Sequence, residues 1–239
     1  MEVLNDLLGF KNLKIYQNTE MFSFSLDSVL LASFVKLNKN IDSILDIGTG
    51  NAPIPLILST KTKCKITAVE IQSEVYNLGL KSIKYNKLEN QIEIINDDIC
   101  KVYKEMANES FDIITCNPPF FKITNDVKLS DSSYKQIARH ELYLDIDKLV
   151  IISKKLLKNN GSLYIVHRPE RLCELIVKLK TGGLEPKRVK FIHPKENMEA
   201  NIVLIEAVKM GKLGIKVDYP VITHNEDGSY TEEILKIFS

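Results

Sequence analysis

The sequence has no CxxC pair, and none of its four cysteines, Cys64, Cys100, Cys116 and Cys173, lies near a histidine partner. Zinc-ribbon and redox-disulfide chemistry therefore lack their ligands, and reduced, mostly buried thiols with no metal site are expected. MEVLNDLLGF carries acids instead of a basic-then-apolar leader, and no apolar run reaches membrane-spanning length, so the expected location is the cytoplasm, away from the membrane. Neither charge is in excess. The 32 Lys and Arg balance 31 Asp and Glu to a net +1, so nucleic-acid binding has to be sought by position and not from bulk charge. No linker, internal repeat or low-complexity tract divides the 239 residues, and a chain of this length buries a sizeable core, so one domain spanning 1–239 is expected.

What is present, from about residue 41, is an alternation of short Ile/Val-rich runs with segments of helical periodicity. The runs are SILDIG, CKITAVE, QIEIIND, FDIITCN and GSLYIVH, composed like strands buried on both faces. Between them lie PIPLILST, SEVYNLGLKSIKYNKL, a shorter segment at 99–107, and YLDIDKLVIISKKLLKNNG, whose last turn is basic. Such βαβ repetition predicts a mainly parallel sheet. After Gly182–Gly183 the pattern changes, and LEPKRVKFIHP and EANIVLIEAVK predict an antiparallel pair at one end of it. Upstream, LKIYQ and MFSFS suggest a small hairpin, and SLDSVLLASFVKL a helix capped by Ser25. The last twenty or so residues read as a turn and a short helix.

The first core strand ends in LDIGTGNAPIPL, residues 45–56. Gly48 and Gly50 permit a tight turn and close approach of a ligand to the backbone. A dinucleotide fingerprint wants a third glycine where Pro53 stands, and no GK[ST] follows, so pyrophosphate is disfavoured and a nucleoside suits the turn better. Glu70 ends the second strand about twenty residues on, where an acid accepts ribose hydroxyls. Each such charge-assisted bond contributes roughly 1.5–3 kcal/mol. Asp97 and Asp98 end the third strand at the same rim, where a carboxylate receives an adenine amino group.

CNPPFF follows the fourth strand. Pro118 and Pro119 fix φ and remove two N–H donors, which leaves a loop of acceptors. The Asn117 side chain and the Pro118 carbonyl are placed to accept hydrogen bonds from a planar –NH2 group. Phe120 offers a stacking face, worth about 1–3 kcal/mol per base.

DIGTGNAPIPL, Glu70, NDD and NPPF, in this order, resemble the class I S-adenosylmethionine-dependent methyltransferases, in the branch that modifies amino groups of planar substrates. FSLDSVLLASF, ARHE at 138–141, HRPERL, RVKFIHPKENMEANIVLIEAVK and DGSYTEEI extend the likeness over nearly the whole chain, to the bacterial family that N6-methylates the adenine beside the anticodon of a valine tRNA. The resemblance implies a Rossmann-like α/β fold with a mainly parallel seven-stranded sheet and an antiparallel C-terminal strand pair. Residues 1–40 would be an N-terminal extension, hairpin plus helix, on the cofactor side. The cofactor would be S-adenosylmethionine and the partner a tRNA, bound by a monomer. Asp46, Gly48, Gly50 and Asn51 would surround the methionine part of the cofactor, Glu70 its ribose and Asp98 its adenine, with Asp97 the competing assignment. Asn117, Pro118, Pro119 and Phe120 would grip the target base, with Asn117 also beside the cofactor.

For RNA, eight basic residues against three acidic ones lie between Arg168 and Lys195. Arg168, Arg171, Lys187, Arg188, Lys190 and Lys195 are the candidates there, with Lys122, Lys128, Arg139 and His140 near the Asn-Pro-Pro loop. His167, His193 and His224 are read as structural or surface groups. A protein-glutamine methyltransferase, an rRNA guanine-N2 methyltransferase and a non-catalytic RNA-binding protein stay open as alternatives.

Overall fold

A computed structural model describes residues 1–20, 26–118 and 144–238 of the chain. The Ile/Val-rich runs form β3 (Ser43–Ile47), β4 (Lys65–Glu70), β5 (Ile92–Asn96) and β6 (Phe111–Cys116), mutually parallel. Side chains alternate across a strand, so each run feeds two apolar layers. Ile44, Ile113, Tyr164 and Leu204 enter one; Leu45, Ile114, Leu163 and Ile205 enter the other. The first layer includes residues of α1 (Leu26–Phe34), α2 (Pro53–Lys61) and α3 (Ser73–Tyr85). After the short α4 (Ile99–Val102), the second is covered by α5 (Ile146–Leu156) and α6 (Leu172–Thr181).

The sheet is completed by β7 (Leu157–His167), β8 (Leu184–His193), β9 (Ile202–Lys209), β10 (Lys216–Val217) and β11 (Val221–Ile222). Its order is β10-β8-β9-β7-β6-β3-β4-β5, with β11 also on β8. Only β9 runs against its neighbours, inserted between β7 and β8. The mainly parallel class I sheet with its antiparallel C-terminal pair is therefore present, and β10 and β11 extend it from seven strands to nine. A final helix, α7 (Glu232–Ile237), begins at Thr231, whose hydroxyl caps Ile234 N.

Local expectations differ at two places. The N-terminal hairpin pairs β1 (Glu2–Leu7) with β2 (Phe10–Asn18), so LKIYQ lies inside its second strand; MFSFS and the Ser25 cap lie outside the described residues. The helix expected to run to Asn160 stops at Leu156, because Leu157 pairs with Phe111 at the start of β7 and Asn160 takes a left-handed φ of 64°. The hairpin is tied to α3 by bonds from Lys14 N to Asn86 Oδ1 (3.0 Å) and from Tyr16 N to Ser82 Oγ (2.9 Å).

Candidate active site

The carboxyl ends of β3, β4, β5 and β6 share one rim, as parallel strands require, and Asp46, Glu70, Asp97, Asp98 and Asn117 lie on or just after them. Asp46 pairs in register with Thr115 on the neighbouring strand and accepts a 2.5 Å hydrogen bond from its hydroxyl. Asp46 is fully buried, and its Oδ2 and the hydroxyl of Thr49 have no hydrogen-bond partner among the described residues. A buried acceptor left unpaired costs about 1–3 kcal/mol, which a cationic ligand group would offset. Burial pushes the Asp46 carboxyl up to about 7; the Thr115 hydroxyl and the neighbouring Thr49 hydroxyl, which lies close but not in hydrogen-bond geometry, oppose the shift and the charge of Glu70 adds to it.

Gly48 and Gly50 take φ of +67° and +62°, which other residues adopt only under strain, and a Cβ at either would meet nothing within 4 Å. The glycines are thus required by the turn, and the space above them is open. Gly48 N and Thr49 N both donate to Val69 O, at 2.9 and 3.0 Å, which draws the turn over the end of β4. Glu70, 2% exposed, accepts from Gly50 N and Gln72 N, each at 2.9 Å. A carboxylate has about four acceptor sites, so two amide bonds fix its orientation and leave capacity for hydroxyl donors.

Asn51 closes the turn, its side-chain amide donating to Tyr16 O of the hairpin at 2.8 Å. Asp98 Oδ1 caps α4 through Cys100 N (2.8 Å), and Asp97, exposed, accepts from Asp98 N (2.6 Å). Asn117 is half-buried and donates from Nδ2 to Ser28 Oγ of α1 at 3.1 Å, and its Oδ1 has no partner among the described residues. Pro118 is buried beside it. Pro119, Phe120, Lys122, Lys128, Arg139 and His140 lie outside the described residues. Three participants escaped the motif reading. Thr115 and Ser28 find their partners only through the fold. Asn96 donates to Glu70 O (2.8 Å) and accepts from Ser73 Oγ (2.7 Å), tying β4, β5 and α3 together.

The basic candidates separate. Arg188 does not belong on a phosphate-facing surface, and that expectation is corrected. It is 7% exposed, pairs with Glu206 (3.0 Å) and Asp218 (3.5 Å), donates to Phe34 O, and lies 3.9 Å over the Phe34 ring. Pairing with β9 sets it opposite Glu206 and turns it inward, on the same face as Lys190 and Ile192 two and four residues on. Arg171 is chelated by Glu174 through two 3.0 Å bonds, and Arg168 donates to Asn201 O at 2.8 Å. Lys187 reaches Lys212 O (2.8 Å) and Gly214 O (2.6 Å), Lys195 reaches Glu226 O (2.9 Å), and Lys190 is half-buried. A cavity of ≈220 Å³ between α1 and β8, lined by Lys36, Arg188, Lys190, Asp218 and Glu233 among others, includes none of the rim residues.

His167 is buried and held neutral, its pKa lowered to about 4 by burial and then by Arg171, and its Nδ1 accepts from Arg168 N. His193 bonds Met198 O, and His224 stacks on Tyr230. Among the described residues no helix is long and apolar enough to cross a membrane, and no group of His, Cys, Asp and Glu has a metal-holding arrangement.

A mainly parallel sheet with a single antiparallel strand near one edge, a glycine turn after β3 and acids at the next two strand ends define a class I methyltransferase. Residues 12–185 match the model of the methyltransferase small domain family, and the chain belongs to that family. It is 28% identical over 201 residues to the tRNA1(Val) (adenine(37)-N6)-methyltransferase of Phocaeicola vulgatus, covering 84% of this chain and 83% of that one. To the protein of the same name from Flavobacterium psychrophilum it is 26% identical, covering 84% and 91%. Among solved structures it superposes on a predicted O-methyltransferase of Agrobacterium tumefaciens with a TM-score of 0.69 at 20% identity, covering 89% and 95%. Pyrococcus horikoshii TYW2, solved with MeSAdo, gives 0.58 at 14% identity, covering 83% and 68%.

Proposed function

We propose that the protein transfers a methyl group from S-adenosylmethionine to the exocyclic N6 of an adenine in tRNA, adenine 37 beside the anticodon of a valine tRNA. The observation that carries the chemistry is the rim itself, where adjacent strands end in a buried carboxylate oxygen and an asparagine amide oxygen that have no partner among the described residues, with an oriented acid beside them. The curated relatives, named for this reaction, support the substrate. Residues 1–239 would act as one domain, with the hairpin and α1 packed on the cofactor side; the Asn51–Tyr16 bond supports that arrangement.

S-adenosylmethionine supplies an electrophilic methyl group on a sulfonium. Asp46 Oδ2 suits its ammonium, the open space over Gly48 and Gly50 its methionine chain, the remaining acceptor sites of Glu70 its ribose hydroxyls, and Asp98 its adenine amino group. The N6 of the target adenine is a poor nucleophile because its lone pair is delocalised into the ring. Hydrogen bonds from its two N–H groups to Asn117 Oδ1 and the Pro118 carbonyl favour a pyramidal nitrogen with the lone pair directed outward. Holding the two reactants in line accounts for roughly 7–11 kcal/mol of the barrier. The extra proton leaves N6 to water after transfer. Phe120 is assigned to stack on the base, and Lys187, Lys190 and Lys195, with Lys122 and Lys128, to the phosphates.

Incubation with methyl-labelled cofactor and total RNA, followed by nucleoside analysis, tests the reading. Label in N6-methyladenosine is expected. Label in N2-methylguanosine, or only in protein glutamine, would replace it with one of the alternatives.

The raised Asp46 pKa predicts a pH dependence. Below about 7 the carboxyl is protonated in the free protein and suits a cation poorly. Cofactor affinity should therefore tighten as pH rises from about 5.5 to 7, a window below the titration of the cofactor's own amine near 7.7–8.0. Calorimetry across that range should give a slope for wild type and a flat profile for Asp46→Asn; equal slopes would remove Asp46 from the cation contact.

A further inference from the structure

We infer that Ser28 is a positioning residue for Asn117, its buried hydroxyl anchoring the side-chain amide at the end of β6 where it meets the acceptor amino group. The inference rests on the assignment of Asn117 above and goes beyond it to a residue outside the loop. A side chain free to change rotamer would present its acceptor to N6 only part of the time, and alignment within about an ångström is what transfer needs. Within the described residues, Ser28 Oγ is the partner of the Asn117 amide, accepting from Nδ2 at 3.1 Å and so fixing where the side chain sits. Ser28 is 4% exposed, so water competes little for this bond.

The helix carrying Ser28 is itself fixed at its other end. Phe34 O accepts from the buried Arg188, and Lys36 N donates to the hydroxyl of Tyr164, whose own bond goes to Glu206. Ser28, in the first turn of α1, is thereby held against a residue 89 positions away in sequence. A rigid element supporting a reacting group from behind is what preorganisation of an active site requires.

The test uses the full-length protein and an unmodified valine tRNA transcript. Ser28→Ala should lower kcat about fivefold to tenfold, the size expected for one neutral hydrogen bond, with cofactor affinity unchanged and the melting temperature lowered by only about 2–4 °C. Ser28→Thr, which keeps the hydroxyl, should recover most of the rate. In an Asn117→Ala background Ser28→Ala should cost nothing further, because it acts through the side chain already removed. Independently of any variant's folding or activity, the side-chain amide protons of Asn117 should exchange slowly with solvent in 15N-labelled wild-type protein. Exchange at the rate of a free amide, or a wild-type kcat in Ser28→Ala while Asn117→Ala is inactive, would overturn the role of Ser28 and leave that of Asn117 standing. Wild-type turnover in Asn117→Ala would instead remove the assignment on which it rests.

Discussion

Asn117→Ala should lower the methyl-transfer rate by at least about 10²-fold, the loss that follows when a reacting group is misplaced by about an ångström, while S-adenosylmethionine binds with near wild-type affinity. The two effects separate because of where the side chain sits. Asn117 follows β6, with Nδ2 on Ser28 and Oδ1 unpaired among the described residues, whereas the groups assigned to the cofactor's charged and hydroxyl parts, Asp46 and Glu70, lie on β3 and β4 and are oriented by Thr115, Gly50 and Gln72. Removing the amide takes an acceptor from the target base and leaves those contacts in place. Single-turnover transfer of labelled methyl to a valine tRNA transcript, with calorimetry of cofactor binding beside it, reads both. Unchanged turnover would show that the Asn-Pro-Pro loop does not hold the acceptor.

Arg188→Ala should destabilise the fold by about 3–5 kcal/mol, because removing the buried cation leaves Glu206, and the partly exposed Asp218, without their counter-charge. The guanidinium joins Glu206 and Asp218 to the C-terminal end of α1, through Phe34 O and the Phe34 ring. Its removal strands two carboxylates and loosens the helix that carries Ser28. Arg188→Glu should be worse, since it sets a third carboxylate beside those two. Urea unfolding followed by circular dichroism gives the number, and Lys187→Ala, whose head group is held by loop carbonyls, should lose less than about 1 kcal/mol as a surface substitution. A stable Arg188→Ala protein with weakened, less salt-dependent tRNA binding would return this residue to the RNA-facing surface.

The contrast between Lys187 and Arg188 marks where sequence reading succeeds and stops. The central strands were legible because SILDI, KITAVE and FDIITC are buried on both faces and carry little else. The glycine turn and Glu70 were legible because they end such strands. PKRVK reads as a run of surface charge, yet the pairing of β8 with β9 points Arg188 inward at Glu206, and no local pattern announces a partner 18 residues away. Ser28 and Thr115 were hidden for the same reason, their bonds to Asn117 and Asp46 spanning 89 and 69 residues. The hairpin was misplaced because EVLNDL alternates poorly, with three adjacent exposed residues. The strands β10 and β11 are two residues each, too short to display any period. Asn51 matched the motif, and its amide also ties the hairpin to the glycine turn, a bond the motif does not announce.

The central claim is that this rim methylates N6 of one adenine in tRNA. It is tested most directly by supplying methyl-labelled S-adenosylmethionine with two valine tRNA transcripts, one natural and one with guanine in place of adenine 37. The account predicts label in the natural transcript alone, recovered as N6-methyladenosine from the fragment containing position 37. Equal labelling of both transcripts, or label in neither while a protein substrate is methylated at glutamine, would contradict it.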